Sequence, residues 1–346
     1  MNVNIREIAL LAETSVATVS RVINMDEHVS EETRKRVLEI IESTGYKPNL
    51  VERALRGQRK GKIMVLLPTL ADPYYSRVLE GVEHRARAND YDVLICSFHR
   101  DADAEKNYLG LVRTNQIDGV IVFSSSMPDE KLDAFASQYP LVQCGASAQG
   151  ANISYTCIDN VAAAEEATNH LIQLGNERIA LLTGNFGRVF EYERERGYKR
   201  ALRNSNIPID ERYIAASDYN HHDGYEVCRK LMALDEPPTA FFCSCDTMAC
   251  GVIKYVIEIG KTPGLDVDII GFDGTYISEL CTPSLTVIEQ PAYEMGRASF
   301  DLLIERIRDK DVITKRVVMP YKLVKRQSTK KAVTIPDYST AGTGNI

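Results

Sequence analysis

The sequence predicts a small all-α head followed by a larger α/β body built on parallel sheets. Apolar residues recur at helical spacing from Ile5 to Ile41. From Lys62 onward, short apolar runs alternate with amphipathic stretches, the signature of strands alternating with helices. Between the two lies Arg53–Lys62, with five basic residues and no acidic one.

In the head, Ile5, Ile8, Ala9 and Ala12 fall at i, i+3, i+4 and i+7, one stripe of a short helix. Ser15 is placed to N-cap a second helix whose inner side is Val19, Val22 and Ile23. A third helix opens at Ser30, with Glu31 and Glu32 in the first turn, where the helix dipole favours carboxylates. Its apolar positions are Val37, Leu38 and Ile41, and Gly45 is placed as the C′ residue. Two short helices joined by a tight turn and braced by a third make a helix-turn-helix. In that motif the start of the second helix enters the DNA major groove. The rival reading, a helical subdomain without a ligand, loses weight to the basic run that follows it. Lys and Arg beside such a motif neutralise phosphates and release counterions. Residues 1–60 hold ten Lys or Arg against nine Asp or Glu, a charge of +1 in a chain of net charge −7, so the remainder carries −8. The positive charge is local, which suits a DNA-reading head on an acidic body.

The body's apolar runs are Ile63–Leu67, Val93–Cys96, Val120–Phe123, Leu141–Val142, Ile179–Leu182, Ala240–Phe242 and Ile269–Phe272. Helical patterns between them cover Tyr75–Arg87, Ala104–Arg113, Val161–Leu174, Tyr198–Asn204, Tyr225–Leu234 and Thr247–Ile259. Such alternation indicates parallel sheets covered by helices on both faces. Leu67-Pro68-Thr69-Leu70 stands where a dinucleotide fingerprint would follow the first strand, and no P-loop occurs. Ligands of open parallel sheets bind beyond the carboxyl ends of the strands. Asp72-Pro73-Tyr74-Tyr75, Ser124-Ser125-Ser126 and Asp273 fall there, and Arg194 lies early in a helix after Leu181-Leu182-Thr183-Gly184. Arginine offers a rigid fork of donors and aspartate paired acceptors, while tyrosine can stack on a flat ring.

With 346 residues, 44% hydrophobic and 26% charged, the chain can build more than one core. No apolar run reaches about 18 residues, so no transmembrane helix is expected. The N-terminus lacks the apolar core of a signal peptide. Eight cysteines without framework spacing read as reduced thiols of a cytoplasmic protein. Cys243-Ser244-Cys245 with Cys250 reads as a strand end and helix start, and His221-His222-Asp223 as a capped helix start. No metal, cofactor or catalytic residue is therefore expected. A nucleoside-processing enzyme would need clustered carboxylates at ligand spacing, and none is found. A transporter's solute receptor would require export.

The head resembles the lactose-repressor (LacI/GalR) family. The resemblance rests on Ile5-Arg6-Glu7-Ile8-Ala9, Thr18-Val19-Ser20-Arg21-Val22-Ile23-Asn24, Val29-Ser30-Glu31-Glu32-Thr33-Arg34, Gly45-Tyr46-Lys47-Pro48-Asn49 and Arg53-Ala54-Leu55-Arg56. It runs from residue 5 to about residue 328. It implies a DNA-binding domain over 1–48, a hinge helix and linker over 49–61, and an effector-binding and dimerisation body over 62–328. The body would form two doubly wound lobes of periplasmic-binding-protein type, about 62–159 with 292–320 and about 160–290 with 321–328. Residues 329–346 would form a flexible tail.

By the same resemblance Val16, Ala17 and Arg21 read base edges, with Ser15, Thr18, Ser20, Asn24, Arg53 and Arg56 completing the DNA contacts. Leu55 would wedge into the minor groove. Arg194, from R-x-x-G-[FY], and Asp273, from G-[FY]-D, would contact the effector; Tyr74, Tyr75, Ser125, Arg188 and Tyr219 join them. Asp246 reads first as a helix N-cap and second as a cleft residue. The alternative for Arg194 and Asp273 is an ion pair tying the lobes together. Glu13-Thr14 departs from the family's Gly-Val at the turn, and Glu52 from its hinge alanine. Cys245 and Cys144-Gly145 depart from the sugar-responsive pattern. Tyr74-Tyr75, Ser125 and Pro238–Cys243 are closer to the purine- and cytidine-responsive members. The implied protein is a homodimeric transcriptional repressor with operator DNA and a small effector as partners. A nucleoside or nucleobase is favoured as effector, a sugar next, with no membrane partner.

Overall fold

The computed structural model describes residues 5–23, 29–44, 61–99, 101–148, 150–184, 187–309 and 311–330. The chain divides into two compact units, Met1–Lys60 and Gly61–Ile346. Asn24, Gly45, Glu52, Arg53, Leu55, Arg56, the hinge and the side chain of Ile23 lie outside the described residues.

The first unit holds α1 (Ile5–Leu11), α2 (Val16–Ile23) and α3 (Glu31–Thr44). Ile8, Ala9, Ala12, Val19, Val22 and Val37 form its core, with Ile5, Val16, Val29, Ile40 and Ile41 at the margin. Ser15 Oγ accepts from the Thr18 N–H at 3.1 Å and Ser30 Oγ from the Thr33 N–H at 3.4 Å, both capping orphan donors. Leu38, expected inside, is 48% exposed. With Val37 facing in, one residue of helical advance turns Leu38 outward, and Ile40 and Ile41 return to the inner face. At the turn between α1 and α2, Glu13 has φ 50°, so a charged side chain occupies a left-handed position.

In the second unit the first sheet has the order β11-β5-β4-β3-β1-β2. Its strands are β1 (Lys62–Leu67), β2 (Asp92–Ser97), β3 (Gly119–Val122), β4 (Leu141–Cys144), β5 (Ser154–Ile158) and β11 (Arg316–Met319). All its pairings are parallel. Helices α4 (Pro73–Arg87) and α12 (Ala292–Arg308) cover one face, and α5 (Ala102–Arg113) and α6 (Asp129–Ala136) the other. The first helix pair crosses at Gly81 and Gly296. A Cβ at Gly81 would lie 2.0 Å from the Tyr293 carbonyl oxygen, so only glycine allows that backbone approach.

The second sheet has the order β12-β10-β9-β8-β6-β7. Its strands are β6 (Ile179–Gly184), β7 (Ile214–Ser217), β8 (Ala240–Cys243), β9 (Asp268–Asp273), β10 (Thr286–Glu289) and β12 (Lys322–Val324). Helices α7 (Asn160–Gln173) and α8 (Val189–Asn204) cover one face. On the other lie α9 (His221–Leu231), α10 (Asp246–Glu258) and the short α11 (Ile277–Leu280). The edge strand β12 runs antiparallel to β10, a departure from the all-parallel expectation. The chain passes from the first sheet to the second after Ile158, back after Glu289, and over again between Met319 and Lys322.

Several boundaries move. The helix predicted from Tyr198 begins at Val189, and β5, β7, β10, β11, α6, α11 and α12 were not anticipated as elements. The expected tail begins too early. Thr329 is buried and bonds Thr286 Oγ1 at 2.9 Å, and the Lys330 N–H donates to Asp268 at 2.8 Å. These side-chain pairings hold a segment that has no apolar period to reveal it.

Candidate functional site

In the first unit, Arg21 and Ala17 are exposed on α2, while Val16, Thr18 and Ser20 are half-buried. Ser15 is exposed, and its hydroxyl also meets Thr18 Oγ1 at 2.9 Å. Capping therefore orders the same turn that presents Val16 and Ala17. Arg21 is the only basic residue of α2, and its guanidinium can donate two hydrogen bonds to one guanine edge.

In the second unit, both sheets reverse strand order beside their first strands, between β1 and β3 and between β6 and β8. The crevices outside those strand ends meet in one cleft. Asp72 and Tyr74 follow β1, Phe123 and Ser124 follow β3, Arg188 and Arg194 follow β6, and Tyr219 follows β7. Ser244 and Cys245 follow β8, Asp273 ends β9 and Gln290 follows β10. About 40 Å³ of this cleft is open to water-sized contents within roughly 540 Å³ of unfilled space. Small-molecule pockets run to about 300–1,000 Å³, so the cleft is narrow by that measure.

Arg194 forms the centre of the cleft wall. It is 4% exposed, its Nη1 donates to the Ser244 carbonyl at 2.6 Å and its Nε to Asn160 Oδ1 at 3.1 Å. Its guanidinium carbon lies 3.6 Å from the Phe272 ring centroid and 4.9 Å from that of Phe190. Nη2 stands 4.0 Å from Asp273 Oδ1. Asp273 is held at φ 101° at the strand end. Gln290 clamps it, Nε2 donating to Oδ1 at 2.7 Å and the backbone N–H to the carbonyl at 3.1 Å. Burial pushes the Asp273 carboxyl well above its ordinary range, with Arg194 opposing. Burial also raises Asp72, against the Tyr74 N–H and Arg194. Tyr74 and Tyr75 lie on opposite sides of an edge-to-face contact at 5.6 Å, and Tyr75 meets Phe123 at 5.3 Å. The Tyr74 hydroxyl donates to Met295 Sδ at 3.7 Å. Arg188 precedes α8 and stacks on Phe190 at 5.9 Å.

Three expectations need correction. Arg194 and Asp273 both belong to the lobe of the second sheet, so their pairing cannot tie the lobes together. Asp246 is not the N-cap; Cys245 is, its sulfur accepting from the Met248 N–H at 3.4 Å. Asp246, one residue on, points a carboxylate at the Thr275 N–H and hydroxyl, at 2.6 and 2.8 Å. Ser125 is not among the cleft residues. Its hydroxyl bonds the buried Glu105, and Ser124 faces the cleft instead, at a left-handed φ of 48° that turns the chain after β3. The helix start at His221 is capped by Asn220, accepting from the Asp223 N–H at 2.9 Å.

Sequence reasoning did not single out Phe190, Phe272, Ser244, Gln290 or Asn160 as site residues. The strand-end rule covers Ser244, but the aromatic residues read as ordinary core. Gln290 follows a strand that was not foreseen. Ser244 Oγ is buried and has no hydrogen-bond partner among the described residues.

Comparisons with known proteins bear on both units. Residues 4–49 match the model of bacterial regulatory proteins of the lacI family, and residues 168–329 that of the periplasmic binding protein-like domain. Catabolite control protein A of Priestia megaterium is 35% identical over 332 residues, 95% of this chain and 100% of that one. The transcriptional repressor CytR of Escherichia coli K12 is 33% identical over 326 residues, 94% and 96% of the two chains. The solved lac repressor dimer, bound to operator and the anti-inducer ONPF, superposes with a TM-score of 0.82 at 26% identity. It covers 96% of this chain and 100% of that one.

Proposed function

The chain belongs to the lacI family of bacterial regulatory proteins, a DNA-binding transcriptional repressor and not an enzyme, and from that premise we propose how its two sites are used. Two copies act together on a roughly two-fold symmetric operator, as in the dimer of the solved lac repressor, because one head reads only a half-site. Arg21 reads a guanine, while Val16 and Ala17 offer apolar contact to a thymine methyl. The cleft takes a flat, hydrogen-bonding effector, a nucleoside or nucleobase ahead of a sugar. One observation carries this choice: a guanidinium sandwiched against Phe272 at 3.6 Å, beside Tyr74, Phe123 and Phe190 and the acceptors Asp72 and Asp273. Rings give a planar ligand stacking faces, and the carboxylates take its N–H or O–H groups. The unsatisfied Ser244 hydroxyl adds a further polar contact. Effector and operator are linked through the angle between the lobes: a ligand that binds one angle more tightly shifts the population toward it.

A thermal-shift screen of nucleosides, nucleobases and sugars tests the effector class, since a ligand bound only by the folded state raises stability. A shift by a nucleoside or nucleobase at micromolar concentration is the expected outcome. A shift by sugars alone would replace the proposed class.

A further inference from the structure

Behind Arg194, a relay of side chains runs from the cleft wall to the other lobe. The first lobe supplies Ser147, in the loop that follows β4. That loop is held by its own lobe. Gly145, at φ 84°, donates its N–H to the Thr156 carbonyl at 2.9 Å, and Gln143 Nε2 donates to the Ser147 carbonyl at 3.3 Å. The second lobe supplies Glu193 on α8, beside Arg194. The Ser147 hydroxyl donates to Glu193 Oε1 at 2.8 Å, a charge-assisted bond made directly between the lobes. Oε2 accepts from Asn160 Nδ2 at 3.1 Å. The same amide turns its oxygen to Arg194, accepting from Nε at 3.1 Å. Asn160 is 1% exposed and opens α7 just after β5 ends, so it lies on a chain crossing between the lobes. Asp159 fixes that crossing by capping α7, accepting from the Ala162 N–H at 2.9 Å. The Glu193 carboxylate also faces β5: burial raises the Cys157 thiol, and the charge of Glu193 raises it further.

We propose that Ser147, Glu193 and Asn160 form a closure latch, with Glu193 the positioning residue that makes lobe closure and the placing of Arg194 one event. The latch rests on the reading of the cleft as an effector site and gives its lobe angle a named set of bonds. Rotation about the crossing at Asn160 carries Ser147 away from Glu193, because one sits on each lobe. With that bond gone, the amide that orients Arg194 is anchored to a carboxylate no longer fixed by the first lobe. A ligand that draws the guanidinium toward itself pulls on the same amide from its other end. Opening lets water hydrate Ser147 and Glu193, which limits the net effect of their bond on the closed-to-open ratio to about tenfold.

Hydrogen exchange of the free full-length protein tests the latch without any effector. Ser147→Ala should raise exchange about tenfold across 188–194, on the lobe opposite the substitution. Ser147→Thr keeps the hydroxyl and should stay near wild type. Peptides from β8, which none of the three residues touches, should not change, and this separates opening from general loosening. In a Glu193→Ala background, Ser147→Ala should add nothing, since both remove one bond. Three results would each overturn the latch: wild-type exchange at 188–194 in Ser147→Ala, additive effects of the two substitutions, or Ser147→Thr exchanging as fast as Ser147→Ala. A screen in which no nucleoside or nucleobase binds would overturn the effector class alone and leave these exchange rates as they are.

Discussion

In the head, five of the candidate DNA contacts come from one helix of eight residues, Val16–Ile23, with Ala17 and Arg21 exposed, and Ser15 caps it. In the body, the candidate effector contacts are scattered from Asp72 to Gln290 and meet only where two sheets end. The first site is a surface, whose chemistry survives in a short peptide pattern. The second is a closed cavity, where burial alters the chemistry of the residues themselves. The carboxyls of Asp72, Asp246 and Asp273 are all raised by desolvation. An exposed site therefore depends on which groups are displayed, and a buried one also on which groups compensate each other.

The most drastic way to break the comparison is to remove residues 1–61. The apolar clusters of the body contain no residue before Ile63, and those of the head none after Ile41. The truncated protein should stay folded and bind effector while losing operator binding altogether. A retained gel-shift band would mean that the two sites are not separable.

Next in size is the effect of the buried charges on stability. Burial pushes the Asp246 carboxyl up to about 7, above its ordinary 3.8. A raised carboxyl contributes fully below its ordinary value, and the contribution is lost as pH rises through about 7. Asp246→Asn, which can keep the bond from Thr275, should be more stable than wild type at pH 8, by an amount on the order of a few kcal/mol at most. The difference should shrink toward pH 5. Denaturation curves that stay parallel from pH 5 to 8 would remove Asp246 from the set of perturbed groups.

Arg194→Ala should weaken effector binding by roughly 1–3 kcal/mol, since it strands ligand acceptors in a closed cleft. Asp273→Ala should do likewise, with the pair non-additive if they grip one ligand. Operator binding without effector should change little. Calorimetry showing wild-type affinity in both single variants would place the ligand elsewhere.

Arg21→Ala sharpens the other half of the comparison. Losing one bidentate base contact should lower operator affinity by about 1–3 kcal/mol and leave weak, salt-sensitive binding to random DNA. Discrimination equal to wild type in competition gel shifts would take Arg21 off the base edges. The smallest effect belongs to the turn. Glu13→Gly relieves a left-handed φ of 50° and should raise head stability by less than about 1 kcal/mol, read from its unfolding transition. Destabilisation instead would show that the Glu13 side chain supports the turn.

Local pattern carried much of the fold. The three head helices, the seven apolar runs and six of the body helices follow from spacing and capping alone, because each buries one stripe or both faces of a strand. The misses share a cause. Ser154–Ile158 and Ile214–Ser217 mix polar with apolar residues. In the first, polar groups are satisfied by neighbours far along the chain, as Thr156 is by Ser299 at 2.6 Å. For the cleft, Arg194, Asp273, Tyr74 and Tyr75 were nameable by motif, whereas Ser125 was misplaced by one residue because the left-handed turn at Ser124 is invisible in a run of three serines.

By itself, then, the sequence determined what depends on neighbours within a turn or two: the helix-turn-helix, its caps, the local positive charge and the alternation that forces layered parallel sheets. Only the tertiary structure decided that Arg194 and Asp273 share a lobe and that Cys245 rather than Asp246 caps α10. It alone placed Phe272 beneath the guanidinium. The physical reason is range. Periodicity and capping act through a few bonds of backbone, whereas desolvation and ion pairing depend on groups that only the closed sheets bring within a few ångströms.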